Sequence, residues 1–325
     1  GSVGQVRVPV SPGPHGHTQG YVGPQRLASS GGKADDPARS GQCCWHSVAT
    51  SEHSRCPHIR RPRLPSKKDA MSAQTHLFLC LKDNFGVLVH DSASGATAAI
   101  DAPEAAPVEA ALQATGWRLT DILVTHHHHD HTGGIEELKE RHRCRVVAPS
   151  AEADGIPGVD ATVRENDTVR VGGLEARVIE TPGHTAGHIT YAFPAERLAF
   201  AGDTLFSIGC GRVLEGSAET MWQSLLKLRA LPDDTRVFCG HEYTMANIRF
   251  AKTIEPGNAL LAAREHEVAR LLTEKKPTIP SLMGEEKAAN PFLRADVPEV
   301  ANAVGLAGKP AWQVFAEIRE RKNKF

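Results

Sequence analysis

Residues 121–131 read Asp-Ile-Leu-Val-Thr-His-His-His-His-Asp-His, with a Gly133-Gly134 pair just beyond. The apolar run Ile122-Leu123-Val124 asks for cover on both faces, so Asp121–Thr125 is predicted to be a buried strand. Six consecutive ionisable residues cannot continue such a strand through a core, so they must form a loop at its end. Within that loop His126, His128, Asp130 and His131 stand at i, i+2, i+4 and i+5, and on a tight loop these face two adjacent points. One metal would take His126 and His128, the other Asp130 and His131. Imidazole and carboxylate suit Zn²⁺, Fe²⁺ or Mn²⁺, and the absence of cysteine disfavours a structural zinc site. The alternating His127 and His129 should point away, into bulk or outer contacts. A polyhistidine tag carries no aspartate in phase and does not follow a buried strand.

Three further ligands are needed, and three strand ends offer them. Thr181-Pro182-Gly183-His184 puts a histidine on the turn after the predicted strand Glu175–Glu180. Ala201-Gly202-Asp203 delivers a carboxylate after Leu198–Ala201, and Cys239-Gly240-His241 repeats the arrangement after Arg236–Cys239. The remaining pattern mixes strands (His76–Leu81, Phe85–His90, Thr97–Ile100, Arg145–Ala148, Thr168–Val171, Ile189–Phe193) with helices (Glu104–Thr115, Ile135–Arg141, Met221–Leu231) without strict βαβ alternation. That predicts an α+β fold of stacked sheets with helices outside. From about Tyr243 the period turns helical. Asn258–Lys276 runs to the breaker Pro277, and Pro310 sits where a first-turn proline opens a last helix. Residues 71–245 are expected to form the catalytic domain and 246–325 a small helical domain.

Residues 1–70 differ: they are rich in Gly, Pro, Ser and Arg without apolar period, and disorder is expected there. Of the chain's 37 Lys+Arg and 38 Asp+Glu, this leader holds about 10 and 4, leaving a body about 7 charges negative. Gly1-Ser2 reads as the remnant of a cleaved tag and Met71 as a candidate start. Cytoplasmic location is expected, with a mitochondrial one the alternative if the leader is native. Cys43, Cys44, His46, His53, Cys56 and His58 match no standard zinc-finger spacing and read as solvated tail. The 7 cysteines, an odd number thinly spread, read as reduced thiols. No apolar stretch reaches membrane-spanning length, and the acidic body gives no footing for nucleic acid, so neither membrane nor nucleic acid is an expected partner. A monomer is expected.

The series His126-x-His128-x-Asp130-His131, His184, Asp203 and His241 resembles the signature of the metallo-β-lactamase superfamily over roughly residues 75–245. The resemblance implies a four-layer αββα sandwich in which His126, His128 and His184 hold one metal, Asp130, His131 and His241 hold the other, and Asp203 bridges them. Two divalent ions, zinc first and iron or manganese next, would share an acidified water as nucleophile and polarise the attacked carbonyl, which makes Asp130 and Asp203 catalytic. Gly202-Asp203-Thr204-Leu205-Phe206 through Gly211-Arg212, Cys239-Gly240-His241-Glu242-Tyr243, Ile254-Glu255-Pro256-Gly257-Asn258, Asn290-Pro291-Phe292 and Arg319-Glu320-Arg321-Lys322 are similar to glyoxalase II.

That second resemblance implies hydrolysis of S-D-lactoylglutathione and related 2-hydroxyacyl thioesters, the second step of methylglyoxal detoxification. A thiolate leaves easily, so no Ser or Cys nucleophile is required. Arg319 and Lys322, at i and i+3 on the final helix, would bind the glycine carboxylate of glutathione, with Tyr243 on the tripeptide backbone. Where the family commonly has a tyrosine after the first motif this chain has Val147, and Arg145 offers a cation nearby. The alternatives are a persulfide dioxygenase using one metal or another hydrolase of the same fold. A non-catalytic binding module is the reading outside enzymology.

Overall fold

The computed structural model describes residues 73–325. The expectations for the leader, including Cys43, Cys44 and Cys56 and the start at Met71, lie outside the described residues.

The first sheet follows the chain in the order β1 (Ala73–Cys80), β2 (Asn84–Asp91), β3 (Ala96–Ile100), β4 (Arg118–Leu123), β5 (Arg145–Pro149) and β6 (Ala161–Val163). β1 to β3 form an antiparallel meander, whereas β3 to β6 run parallel. Parallel neighbours need crossovers, which α1 (Ala105–Thr115) and α3 (Ile135–His142) supply on one face. Val108, Leu112, Ile135 and Leu138 there cover Leu88, Ile122 and Val146. Gly116, at φ 72°, ends α1 in the left-handed conformation that glycine adopts freely. Between the two lies the single-turn α2 (His129–Thr132).

The second sheet adds β7 (Thr168–Val171), β8 (Leu174–Glu180), β9 (Ile189–Phe193), β10 (Leu198–Phe200), β13 (Arg236–Phe238) and β14 (Ser281–Leu282), with a hairpin of β11 (Leu205–Phe206) and β12 (Gly209–Cys210) beside it. Its inner face, with Val178, Tyr191, Phe193 and Phe200, meets Val87, Val89, Leu123 and Val147 of the first sheet. Each such side chain contributes about 1.5–3 kcal/mol by leaving water. Its outer face is covered by α4 (Ala218–Arg229), which Ser217 caps through the Thr220 N–H at 3.0 Å, and by α9 (Ala311–Lys324), through Trp222, Leu225, Phe315 and Ile318. The result is the expected α/β/β/α stack.

The C-terminal segment holds α5 (Thr244–Ile254), α6 (Ala259–Thr273), α7 (Met283–Ala289), α8 (Pro298–Ala303) and α9. Asn258 caps α6 by accepting the N–H groups of Leu260 and Leu261. β14 departs from this helical pattern by pairing with β13, which joins the segment to the sheet that carries His241. No helix among the described residues is long and apolar enough to cross a membrane.

Candidate metal centre

Ligand candidates come from the ends of strands in both sheets. β4 ends at Leu123 and leads to His126, β8 leads to His184, β10 to Asp203 and β13 to His241. The sheets are tied where these ends meet: Ile189 N–H donates to Thr125 O at 3.0 Å, Phe85 N–H to Gly240 O at 2.8 Å, and the buried Tyr191 hydroxyl crosses to Val124 O at 3.1 Å.

All seven side chains converge. His128 Nδ1 lies 3.1 Å from His126 Nε2 and 3.0 Å from His184 Nε2. Asp130, His131 and His241 form a second group, with His241 Nε2 3.4 Å from Asp130 Oδ2. Asp203 stands between the groups, Oδ2 at 3.5 Å from His184 Nε2 and 3.3 Å from His241 Nε2, and Oδ1 at 3.5 Å from His131 Nε2. Gly240 permits this approach, because a Cβ there would overlap Asp203 Oδ1 and stand 2.8 Å from His131 Cε1.

The hydrogen bonds around the rings fix what each presents. His131 Nδ1 donates to Asp101 Oδ2 at 2.8 Å, His184 Nδ1 to the Arg212 carbonyl at 3.0 Å and His241 Nδ1 to Asp83 Oδ1 at 2.9 Å. Thr125 Oγ1 donates to Asp101 Oδ2 and accepts from His126 Nδ1 at 3.0 Å. With every Nδ1–H engaged, His126, His131, His184 and His241 each turn Nε2, the atom left to ligate, inward, as metal-ligating imidazoles do. The Asn84 amide holds Asp130 Oδ2 at 3.0 Å, and His188 Nε2 accepts the Asp203 N–H at 3.0 Å.

This donor set fits divalent cations. His131 Nε2 and Asp203 Oδ1 are buried without a hydrogen-bond partner, an arrangement a protein rarely tolerates unless another group completes it. Burial would discharge His131, yet Asp203, Asp101 and Asp130 outweigh it and hold its pKa up to about 9. Burial would likewise neutralise Asp203, but the surrounding imidazoles His131, His241 and His184 keep its carboxyl far below the usual range. His126 goes the other way: burial, then repulsion from His131 and His188, keeps it neutral. Asp101 also lies near His126 and His131, but its oxygens are committed to His131, Thr125 N–H and Thr125 Oγ1.

A cavity of about 410 Å³ opens beside the centre, lined by His184 and Asp203 together with Arg212, Tyr243, Arg319 and Lys322. Tyr243 stacks on His241 with ring planes 4° apart, and burial with the nearby carboxylates of Asp83, Asp203 and Asp130 raises its phenol to about 12, so it is a hydrogen-bond donor. Arg319 is buried, its guanidinium 2.8 Å from the Cys210 carbonyl and over the Phe292 ring. Lys322 Nζ reaches Ala246 O at 3.0 Å and lies over Phe250 and Phe325. Burial pushes the Cys210 thiol up to about 11, which leaves it un-ionised and a poor nucleophile.

Arg145 is not brought to this cavity, which corrects the sequence expectation. It begins β5 in register with Asp121, and because β4 and β5 are parallel that is the end of the sheet remote from His126. There its guanidinium pairs with Asp121 Oδ1 at 2.6 Å and donates to Arg170 O. Val147 lies two residue pairs further along, buried between the sheets rather than in the cavity. Arg212 is the cation that lines the cavity instead, and sequence reasoning passed over it. Asp101, one residue past β3, was also missed, although the strand-end rule that found Asp203 applies to it. Asp83 and Asn84, between the predicted strands His76–Leu81 and Phe85–His90, carry no local signal of their contacts with His241 and Asp130.

The hydroxyacylglutathione hydrolase C-terminus family model matches residues 242–325, and the metallo-β-lactamase superfamily model matches residues 81–241. A hydroxyacylglutathione hydrolase of Rhodopseudomonas palustris (strain BisB18) is 63% identical over 254 residues, 78% of this chain and 100% of the relative. One from Nitrobacter hamburgensis is 62% identical with the same coverage. Among solved structures, ETHE1 from Myxococcus xanthus superposes with a TM-score of 0.56 at 28% identity, covering 77% of this chain and 91% of that one. The BLEG-1 B3 metallo-beta-lactamase gives 0.52 at 19% identity, covering 68% and 99%, a likeness of fold alone.

Proposed function

The chain belongs to the hydroxyacylglutathione hydrolase family of the metallo-β-lactamase superfamily, and from that premise we propose that it hydrolyses S-D-lactoylglutathione and related 2-hydroxyacylglutathiones to glutathione and the free hydroxy acid. The carrying observation is one cavity lined both by His184 and Asp203 and by Arg319 and Lys322. A glutathione thioester needs both: a centre that attacks its carbonyl and cations for the carboxylates of its tripeptide.

His126, His128 and His184 would hold one divalent ion and Asp130, His131 and His241 the other, with Asp203 shared, and zinc heads the candidates. When bound, such a pair supplies Lewis acidity, acidifying water for attack and polarising the thioester carbonyl. The chain's own residues do the rest. Asp203 and Asp130 concentrate negative charge where cations sit, while the outer hydrogen bonds hold each imidazole in its ligating tautomer. Lys322 and Arg212 offer charge to the tripeptide's carboxylates, and the Tyr243 phenol offers a donor to its backbone. Arg319 mainly anchors the final helix against the Cys210 carbonyl and adds positive potential. The presence of two donor groups favours hydrolysis at a metal pair over single-metal dioxygenase chemistry.

The test is a spectrophotometric assay with S-D-lactoylglutathione on protein of measured metal content. Turnover is expected with two metals per chain, and no turnover of any glutathione thioester by fully metallated protein would overturn the assignment. A monomer in solution is the accompanying expectation, checked by light scattering.

A further inference from the structure

The three-histidine group draws on two separate loops, one after β4 carrying His126 and His128 and one after β8 carrying His184. Their separation must be held closely, because metal–ligand distances tolerate only about 0.2 Å of error. Glu152, just past β5, bridges that gap. Its side chain is buried, and its two oxygens accept main-chain N–H groups from different loops: Oε2 from His127 at 2.8 Å and Oε1 from Gly187 at 2.7 Å. Oε2 also lies 2.9 Å from His127 Nδ1. The fit is close, since a Cβ on Gly187 would stand 2.8 Å from Glu152 Cγ.

A second carboxylate braces the same pair from outside. Glu215 Oε2 accepts the Ala186 N–H at 2.9 Å, and Oε1 is 3.4 Å from His127 Nε2. His127, the residue between two ligand candidates, is thus held between two carboxylates that each grip the His184 loop. Glu152 itself touches none of the seven ligand candidates. A buried carboxylate is expensive unless fully hydrogen-bonded, and here every donor it uses belongs to a ligand-bearing loop.

We propose that Glu152 is a positioning residue for the three-histidine metal group, its carboxylate setting the spacing between the His126/His128 loop and the His184 loop. The proposal rests on the paired-metal reading above. It predicts an asymmetric defect: outer contacts of this kind change metal affinity by about 10- to 100-fold, and only the three-histidine group depends on this one. In Glu152→Gln a single carbonyl oxygen remains, so one of the two amides loses its acceptor.

The experiment titrates metal-free full-length protein with Zn²⁺ against a chromophoric chelator and, separately, with Co²⁺ while recording its visible absorption. Wild type should take two metals. Glu152→Gln should take one with wild-type affinity and the other about 10- to 100-fold more weakly, with a reduced Co²⁺ band from one group. Asp91→Asn is the control, because Asp91 is also buried and accepts the N–H groups of Ala93 and Gly173 at a turn that carries no ligand. It should leave both affinities unchanged. The proposal is overturned if Glu152→Gln keeps both affinities and the wild-type Co²⁺ spectrum, if it weakens both groups equally, or if Asp91→Asn reproduces its defect. Should Glu152→Gln not fold, as judged by circular dichroism, Glu152→Asp, one methylene short of spanning both amides, is read by the same criteria. Wild type binding fewer than two metals would instead refute the paired-metal reading, and the clamp with it.

Discussion

Lys322 should make substrate affinity depend on pH in a direction the structure fixes. Burial, and then the neighbouring Arg319, push its ammonium down to about 8. A lysine that binds a carboxylate must be protonated, so affinity is full below that value and is lost as pH rises through it. The protonated share falls from about 0.9 at pH 7 to about 0.1 at pH 9, which predicts an approximately tenfold rise in KM over that interval. kcat should not follow, because the Lys322 ammonium is held by Ala246 O and the rings of Phe250 and Phe325 and contacts none of the seven ligand candidates. Lys322→Arg keeps its charge throughout and should flatten the profile. Lys322→Met should raise KM at pH 7 by about 10- to 100-fold, the cost of one charged hydrogen bond of roughly 1.5–3 kcal/mol, and should show no further climb. The assay is initial-rate hydrolysis of S-D-lactoylglutathione at steps between pH 6.5 and 9, with the uncatalysed rate subtracted. The glutathione amino group titrates in the same range, and the Arg variant controls for it. A wild-type KM that stays flat, or a Lys322→Arg profile that climbs as steeply as wild type, would refute the reasoning.

Asp203→Ala should abolish turnover and lower metal content, since it removes the carboxylate common to both groups; full activity in metal-analysed variant protein would discard the mechanism. Gly240→Ala should act in the same direction while leaving the circular dichroism spectrum intact, because the new methyl overlaps Asp203 Oδ1; unchanged metal content would count against that approach. Zn²⁺ uptake by metal-free protein at pH 7 should release protons, seen with a pH indicator in weak buffer. His131, held up to about 9, carries a proton there that ligation displaces. Affinity should therefore fall as pH drops from about 9, and uptake without proton release would contradict it. Arg319→Ala should lower the urea midpoint by the equivalent of about 1.5–3 kcal/mol as well as raise KM, since its guanidinium holds the buried Cys210 carbonyl. A rise in KM with unchanged stability would instead make it a pure ligand contact.

Much of this fold was readable because its strands are short apolar runs cut by turn residues, as at Thr168–Val171 and Ile189–Phe193, whose limits agree in sequence and structure. The seven ligand candidates were readable for a related reason: each follows a strand whose end is marked by apolar residues, and His or Asp there has little else to do. Their supports were not. Asp83, Thr125 and Glu152 are ordinary polar residues whose roles depend on partners 25 to 158 positions away or on one neighbouring ring, and no local pattern carries that. Arg145 failed for a reason that sequence could have supplied. Once β4 and β5 are parallel, the first residue of β5 must lie at the end opposite the loop that leaves β4, and the cation belonged on a segment such as Gly211-Arg212 that leaves the bridging carboxylate.

The ligand motif itself shows how two metals can be served by six residues. His126 to His128 is extended, with His128 at φ −57° and ψ 141°, so alternate side chains share a side and His127 turns outward to Glu152. At His129 the backbone changes to the single turn α2, closed by His131 N–H to His128 O at 2.9 Å and Gly133 N–H to His129 O at 2.8 Å. In a helical turn neighbouring side chains diverge by about 100°, so Asp130 and His131 can approach one point from different directions. His129 is left exposed. The spacing i, i+2 followed by i+4, i+5 is therefore the imprint of a change in backbone period within one short segment. A chain extended throughout would place Asp130 on the side of His126 and His128 but His131 on the other, and the second group could not close. The Gly133-Gly134 pair lets that turn sit against the start of α1, since a Cβ at Gly134 would stand 2.5 Å from Ala105 N, so the geometry of the second group is anchored by glycines that bear no ligand.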